Sequence, residues 1–143
     1  MDNITYDFID IEIPDFGSEF FSLWLNEVAR QEGSEIEFLG YVFCSDEDLK
    51  EMNKDYLDHD YFTDVITFGY NEGVSLNGEV FISYDRVKDN AVKFGNGSVY
   101  DELCRVMVHG LLHLIGYKDK TEEESELMRK KEEMSLKLRN GFT

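Results

Sequence analysis

Apolar and polar positions change period several times along the chain, and each change marks an element. Residues 4–13 (ITYDFIDIEI) set Tyr6 and Phe8 against Thr5 and Asp7, the alternation of a half-buried strand, and Pro14 ends it. Behind a Ser18 cap, Phe20, Phe21, Trp24, Leu25 and Val28 recur at helical spacing, and Gly33 offers a stop. Residues 35–44 (EIEFLGYVFC) read as a second strand. SDEDLKEMNKDY reads as a short helix capped by Ser45, with Asp48 three residues on and Leu49, Met52 and Tyr56 on one face.

After the polar connection LDHDYF, residues 63–70 (TDVITFGY) are β-branched and aromatic enough for a third strand. Residues 79–85 (EVFISYD) form a fourth beyond the turn chemistry of Asn77 and Gly78, so the two can pair as a long-looped antiparallel hairpin. Asp85 can cap a helix over DRVKDNAVKF, closed by Gly95 and Gly97. The longest periodic run starts at a Ser98 cap, with Asp101 three residues later, and continues to Gly116. Thr121 and Glu124 form a capping box for a last helix, acidic first and basic last as the helix dipole favours, with Gly141 as its stop. The order βαβαββααα predicts an α+β fold: one domain over 1–143, a small mixed four-stranded sheet and about five helices.

Composition narrows the class. At 143 residues the chain can bury one core, and 42% hydrophobic with 14% aromatic content argues against disorder. The N-terminus mixes acidic and apolar residues where a secretory signal needs a basic start, and no run approaches the roughly 18 apolar residues of a membrane span. A cytoplasmic location with no membrane association is the expectation. Cys44 and Cys104 are too few for a disulfide framework and read as reduced, buried thiols. Net charge is −17, which opposes nonspecific adhesion to nucleic acid. Residues 118–143 hold seven basic and seven acidic side chains, so residues 1–117, with seven against 24, carry the whole deficit. A polyanion must approach near the C-terminal helix or be held by a metal.

The candidate chemistry lies in HGLLHLIGYKDK, residues 109–120. Residues i and i+4 of a helix share a face, so His109 and His113 can aim both rings at one centre, the spacing that helices offer to Zn²⁺. Gly116 can turn the chain sharply off the helix end and Asp119 can then point back as a third ligand, leaving one tetrahedral position open for water. Two isolated histidines on a helix are commonly ordinary surface or core residues. Here Leu111, Leu112, Leu114 and Ile115 make the surroundings apolar, and a buried unpaired imidazole costs free energy that a metal would offset. Zinc proteases with this spacing place a glutamate base after the first histidine; Gly110 stands there instead.

HGLLHLIGYKD resembles the signature of the YbeY family of metal-dependent endoribonucleases, His-Gly-x-Leu-His-Leu-x-Gly-Tyr-Asp-His. It departs at Lys118, where the family has Asp, and at Asp119, where it has a third metal-binding His. TDVITF (63–68), LNGEVFIS (76–83), NKDY (53–56) and Met128 are similar to further family stretches, so the likeness spans about residues 46–133. The resemblance implies an endoribonuclease of ribosomal RNA maturation, notably at the 3′ end of the small-subunit RNA, and of ribosome quality control. Zinc would be held by His109, His113 and, by position, Asp119. A family arginine after the Asn-x-x-Tyr tyrosine is replaced by Leu57. An aspartate third ligand should also let harder metals such as Mn²⁺ compete.

Several other residues have two readings. His59 is a candidate fourth ligand or base, against a solvated loop histidine. Glu102, seven residues before His109 on the same helix face, is a candidate to orient its imidazole, against a plain surface acid. Cys104 should face away from the metal. Arg86, with Lys88 and Lys93, gives a basic helix edge diluted by Asp85 and Asp89, while Lys118 and Lys120 flank the third ligand and are the better candidates for phosphate contact. Two rival functions are a small metalloprotease, weakened by Gly110, and a noncatalytic assembly factor whose metal staples the fold while its acidic surface meets the small ribosomal subunit or an assembly protein.

Overall fold

The structure is a computed structural model that describes residues 3–57, 65–93 and 98–141. Its elements in chain order are β1 (Ile4–Phe8), α1 (Ser18–Gln31), β2 (Glu35–Cys44), α2 (Asp46–Leu57), β3 (Val65–Gly69), β4 (Ser75–Ser83), α3 (Tyr84–Lys93), α4 (Val99–Ile115) and α5 (Glu122–Lys137), with a 3₁₀ turn at Leu138–Gly141. The sheet order is β1-β2-β4-β3. β1, β2 and β4 run parallel and β3 pairs antiparallel with β4, the mixed four-stranded α+β arrangement expected from the periodicity. Parallel neighbours need crossovers, and α1 supplies the one between β1 and β2.

The differences from the sequence reading are local and have physical causes. β1 stops at Phe8 rather than running to residue 13, because its partner β2 ends at Cys44 and the last bond available is Ile9 N–H to the Phe43 carbonyl at 2.9 Å. Asp10 then takes a positive φ of 54°, and Ile11, Ile13 and Phe16 pack on the core from an irregular segment. β4 covers 75–83 rather than 79–85, with Gly69 opposite Gly78 in the hairpin. Ser18 is the first helical residue of α1 rather than its cap, which is Gly17. Asp85 caps in trans: its carboxylate accepts the Asp46 N–H of α2 at 2.9 Å, while Ser83 Oγ accepts the Arg86 N–H of α3 at 3.1 Å. The stops expected at Gly95 and Gly97 lie outside the described residues.

One face of the sheet, with Leu39, Tyr41 and Phe43 of β2 and Val80 and Ile82 of β4, is buried under α1 and α4. The other carries a smaller cluster of Cys44, Ile66 and, from α2, Leu49. Both cysteines are free and buried, as the composition suggested. Each large side chain taken from water contributes about 1.5–3 kcal/mol. α4 is the central helix, with ten buried residues from Glu102 to Leu114.

α4 lies close on the sheet because Gly110 faces Val80: a Cβ there would sit 2.6 Å from Val80 Cγ1. One turn on, Leu114 fills the space left by Gly69 and Gly78. Polar ties fix the helix along its length. Tyr41 Oη donates to the Met107 carbonyl at 2.7 Å, and Asn71 Nδ2 donates to the Leu114 carbonyl at 2.7 Å. The helix that carries the histidines is therefore held in rotation and in depth.

Candidate metal centre

α4 begins at Ser98, whose Oγ accepts the Asp101 N–H at 3.1 Å, and ends at Gly116 with φ 130°. Gly116 N–H bonds the His113 carbonyl at 3.1 Å and Tyr117 N–H bonds the Leu112 carbonyl at 3.0 Å, the paired closure of a Schellman motif. The chain thereby doubles back, and Ser125 Oγ donates to the Asp119 carbonyl at 2.9 Å to hold the returning segment against the start of α5.

The turn brings three side chains together. His109 Nε2 and His113 Nε2 lie 3.0 Å apart, and Asp119 Oδ2 is 3.3 Å from each. Ligands about 2.0–2.1 Å from a tetrahedral zinc are separated by about 3.3 Å, so this triangle has the size of one face of a zinc coordination shell. His113, Asp119 and His109 are, among the described residues, the one group of three such side chains able to share an ion. Side-chain exposure rises from 15% at His109 through 28% at His113 to 41% at Asp119, so the group opens to solvent on the aspartate side.

Outer contacts decide which nitrogens face inward. His109 Nδ1 meets Glu132 Oε2 of α5 at 2.5 Å, and His113 Nδ1 meets the Tyr117 carbonyl at 3.0 Å. Both partners are acceptors, so in the neutral rings both Nδ1 atoms carry the proton and both Nε2 atoms present lone pairs. Three acceptor atoms then converge with no donor among them, an arrangement that repels itself unless a cation lies between. The donor set thus fits a divalent metal.

Tyr117 also anchors the turn. Its hydroxyl donates to Glu32 Oε1 at 2.5 Å, Lys131 Nζ donates to Glu32 Oε2 at 3.0 Å, and the ammonium sits 5.5 Å from the Tyr117 ring centroid. Burial first, and then the bond to Glu32, pushes the Tyr117 phenol above its ordinary range. The Lys131 ammonium is raised chiefly by its bond to Glu32. The end of α1, the turn and α5 are pinned at one point.

Glu102 does not meet the His109 ring. Its carboxylate receives Arg105 Nε at 2.9 Å and Nη2 at 2.6 Å, and Arg105 Nη1 reaches Glu132 at 3.3 Å. Glu132 is thus the carboxylate on His109, and Glu102 stands two links behind. The sequence reading missed Glu132, which sits in the charged run EEESELMRKKEEM. The available signal was helical phase: Met128, Glu132 and Ser135 recur as the buried face of α5. Lys118 and Lys120 are exposed beside Asp119. Arg86 Nε donates to Asp46 Oδ1 at 3.1 Å, so that charge is already engaged. Cys104 is buried in the main core, outside the donor group. His59 lies outside the described residues, and Leu57 closes α2. Gly110 points its Cα hydrogens at Val80 and Thr67, so a glutamate base at that position has no room.

A family model described as Endoribonuclease YbeY matches residues 5–140. Among curated relatives, an Endoribonuclease YbeY from Cytophaga hutchinsonii is 57% identical over 117 residues, covering 81% of each chain. One from Bacteroides thetaiotaomicron is 42% identical over 136 residues, covering 95% of this chain and 98% of its own. The solution structure of TM1509 from Thermotoga maritima superposes with a TM-score of 0.65 at 26% identity, covering 96% of this chain and 89% of the other. Among the described residues no helix is long and apolar enough to cross a membrane. The chain belongs to the endoribonuclease YbeY family, metal-dependent hydrolases of ribosomal RNA maturation.

Proposed function

We propose that His109, His113 and Asp119 hold one zinc ion per chain, and that the protein uses it to cut single-stranded ribosomal RNA. The observation that carries this reading is the convergence of two Nε2 lone pairs and one carboxylate oxygen within 3.0–3.3 Å of one another. A divalent ion bound there supplies Lewis acidity, lowering the pKa of a water toward about 7 and polarising a phosphoryl oxygen.

The chain's own residues do the rest. Glu132 and the Tyr117 carbonyl keep the Nδ1 protons outward, and the Gly116 turn keeps Asp119 on the solvent side, where a strand of RNA can enter. Lys118 and Lys120, exposed on either side of Asp119, contact the flanking phosphates and offset the acidity of the rest of the surface. Arg86 is a further phosphate contact if it exchanges Asp46 for RNA. His59, in the segment before β3, is the candidate for a base; as a fourth ligand it would close the position that this reading leaves open to water.

The 3′ end of the small-subunit RNA, with a part in ribosome quality control, is the target this reading favours. The cytoplasm is its location, and the small ribosomal subunit or an assembly protein its partner. Elemental analysis and a single-stranded RNA cleavage assay, run on native protein and on His113→Ala, test it. Native protein should carry about one equivalent of metal and cleave; His113→Ala should keep its fold and lose both. Loss of metal with cleavage intact would overturn the reading.

A further inference from the structure

We propose that Glu132 is a positioning residue that orients the His109 ring and sets the metal affinity of the site, with Arg105 and Glu102 holding it in place. This rests on the reading that His109, His113 and Asp119 bind a metal.

The Glu132 side chain is 5% exposed, and a carboxylate so buried needs partners for both oxygens. It has them on opposite sides: Oε2 meets His109 Nδ1 at 2.5 Å and Oε1 meets Arg105 Nη1 at 3.3 Å. Arg105 is itself gripped by both Glu102 oxygens, at 2.9 and 2.6 Å, one turn earlier on α4. The carboxylate cannot rotate without breaking one bond or the other, so the imidazole it accepts from is fixed with Nε2 inward. Its negative charge also makes that ring a better electron donor to a cation.

The two histidines are held differently. His113 donates to a neutral carbonyl of its own turn, four residues on. His109 donates to a charged side chain 23 residues away on another helix. Metal affinity is therefore tied to the docking of α5 directly through the His109–Glu132 bond, whereas His113 is tied to α5 only indirectly, through the Tyr117 turn that Glu32 and Lys131 anchor.

Zinc affinity by chelator competition, with the visible absorption spectrum of the cobalt-loaded protein, tests this on the full chain. Glu132→Gln keeps the shape and removes the charge; its zinc Kd should rise about 10- to 100-fold and its cobalt spectrum should change. Glu132→Asp should recover part of the loss. If Glu132 only joins α5 to α4, the variant would melt earlier without metal but keep the native Kd and spectrum, and the proposal would be overturned. Should Glu132→Gln fail to fold, NMR of the zinc-loaded native protein decides: His109 must carry its proton on Nδ1 and zinc on Nε2, and zinc on Nδ1 would sink the idea. Native protein that takes up no metal would overturn the metal reading itself, whereas native binding with unchanged variant affinity overturns this proposal alone.

Discussion

Asp119 sets the character of the donor group. Two neutral imidazoles and one carboxylate give the group a charge of about −1, where three imidazoles would give none, and the added oxygen suits harder ions. The residue is also the most exposed of the three, at 41%, and reaches the site only because Gly116 turns the chain back. Asp119→His should therefore shift metal preference from manganese toward zinc. Dialysis against equimolar zinc and manganese, followed by elemental analysis, reads this out; an unchanged ratio would show that ligand type at this corner does not govern selectivity.

At the scale of the element, the contact of α4 with the sheet is decided by small residues. Gly110 lets the helix rest on Val80, and Gly78 and Gly69 receive Leu114. A methyl group at 110 meets branched carbons of a buried strand, whose neighbours leave them little room to move. Gly110→Ala gains about 1 kcal/mol of helix propensity but costs about 1–3 kcal/mol in overpacking, for a net loss of stability. Val80→Ala makes room for the methyl, so the double variant should lose less than the two single changes added together. Urea unfolding of the four proteins measures this; strictly additive losses would mean that the two groups do not meet. The same crowding explains why a protease-type glutamate is absent beside His109.

For the whole molecule, a buried phenol, a half-buried one and a buried thiol predict alkaline sensitivity. Burial pushes Tyr6 from 10.0 up to about 12 and Cys44 from 9.0 up to about 11, and it raises Tyr41 well above its ordinary value. The unfolded chain gives up these protons first. Each group therefore stabilises the fold fully below its unfolded pKa, and that contribution is lost as pH rises through the folded one. The urea midpoint should hold steady to about pH 9 and fall progressively toward pH 12, with a shallower fall in Tyr6→Phe, which keeps the ring stacked on Tyr41. A midpoint flat to pH 11 would contradict these assignments. The charge is uneven over the same scale: residues 1–117 carry the whole deficit of −17, while residues 118–143 are balanced.

Local chemistry was legible in the chain by itself. β2 and α4 run over 35–44 and from Ser98 to Gly116 as read, because period, cap and stop are properties of neighbouring residues. The His109–His113 pair and the Gly116 turn follow from helical geometry, which brings i and i+4 together wherever a helix forms. What depended on other parts of the molecule was not legible. β1 ends at Phe8 because β2 runs out of pairing groups, Asp85 caps a helix 39 residues away, and Gly110 is required by Val80 across a packed interface. Glu132 rather than Glu102 meets His109 for the same reason. In the chain it is one acid in a charged run, and only the docking of α5 on α4 removes it from water and brings it to the imidazole.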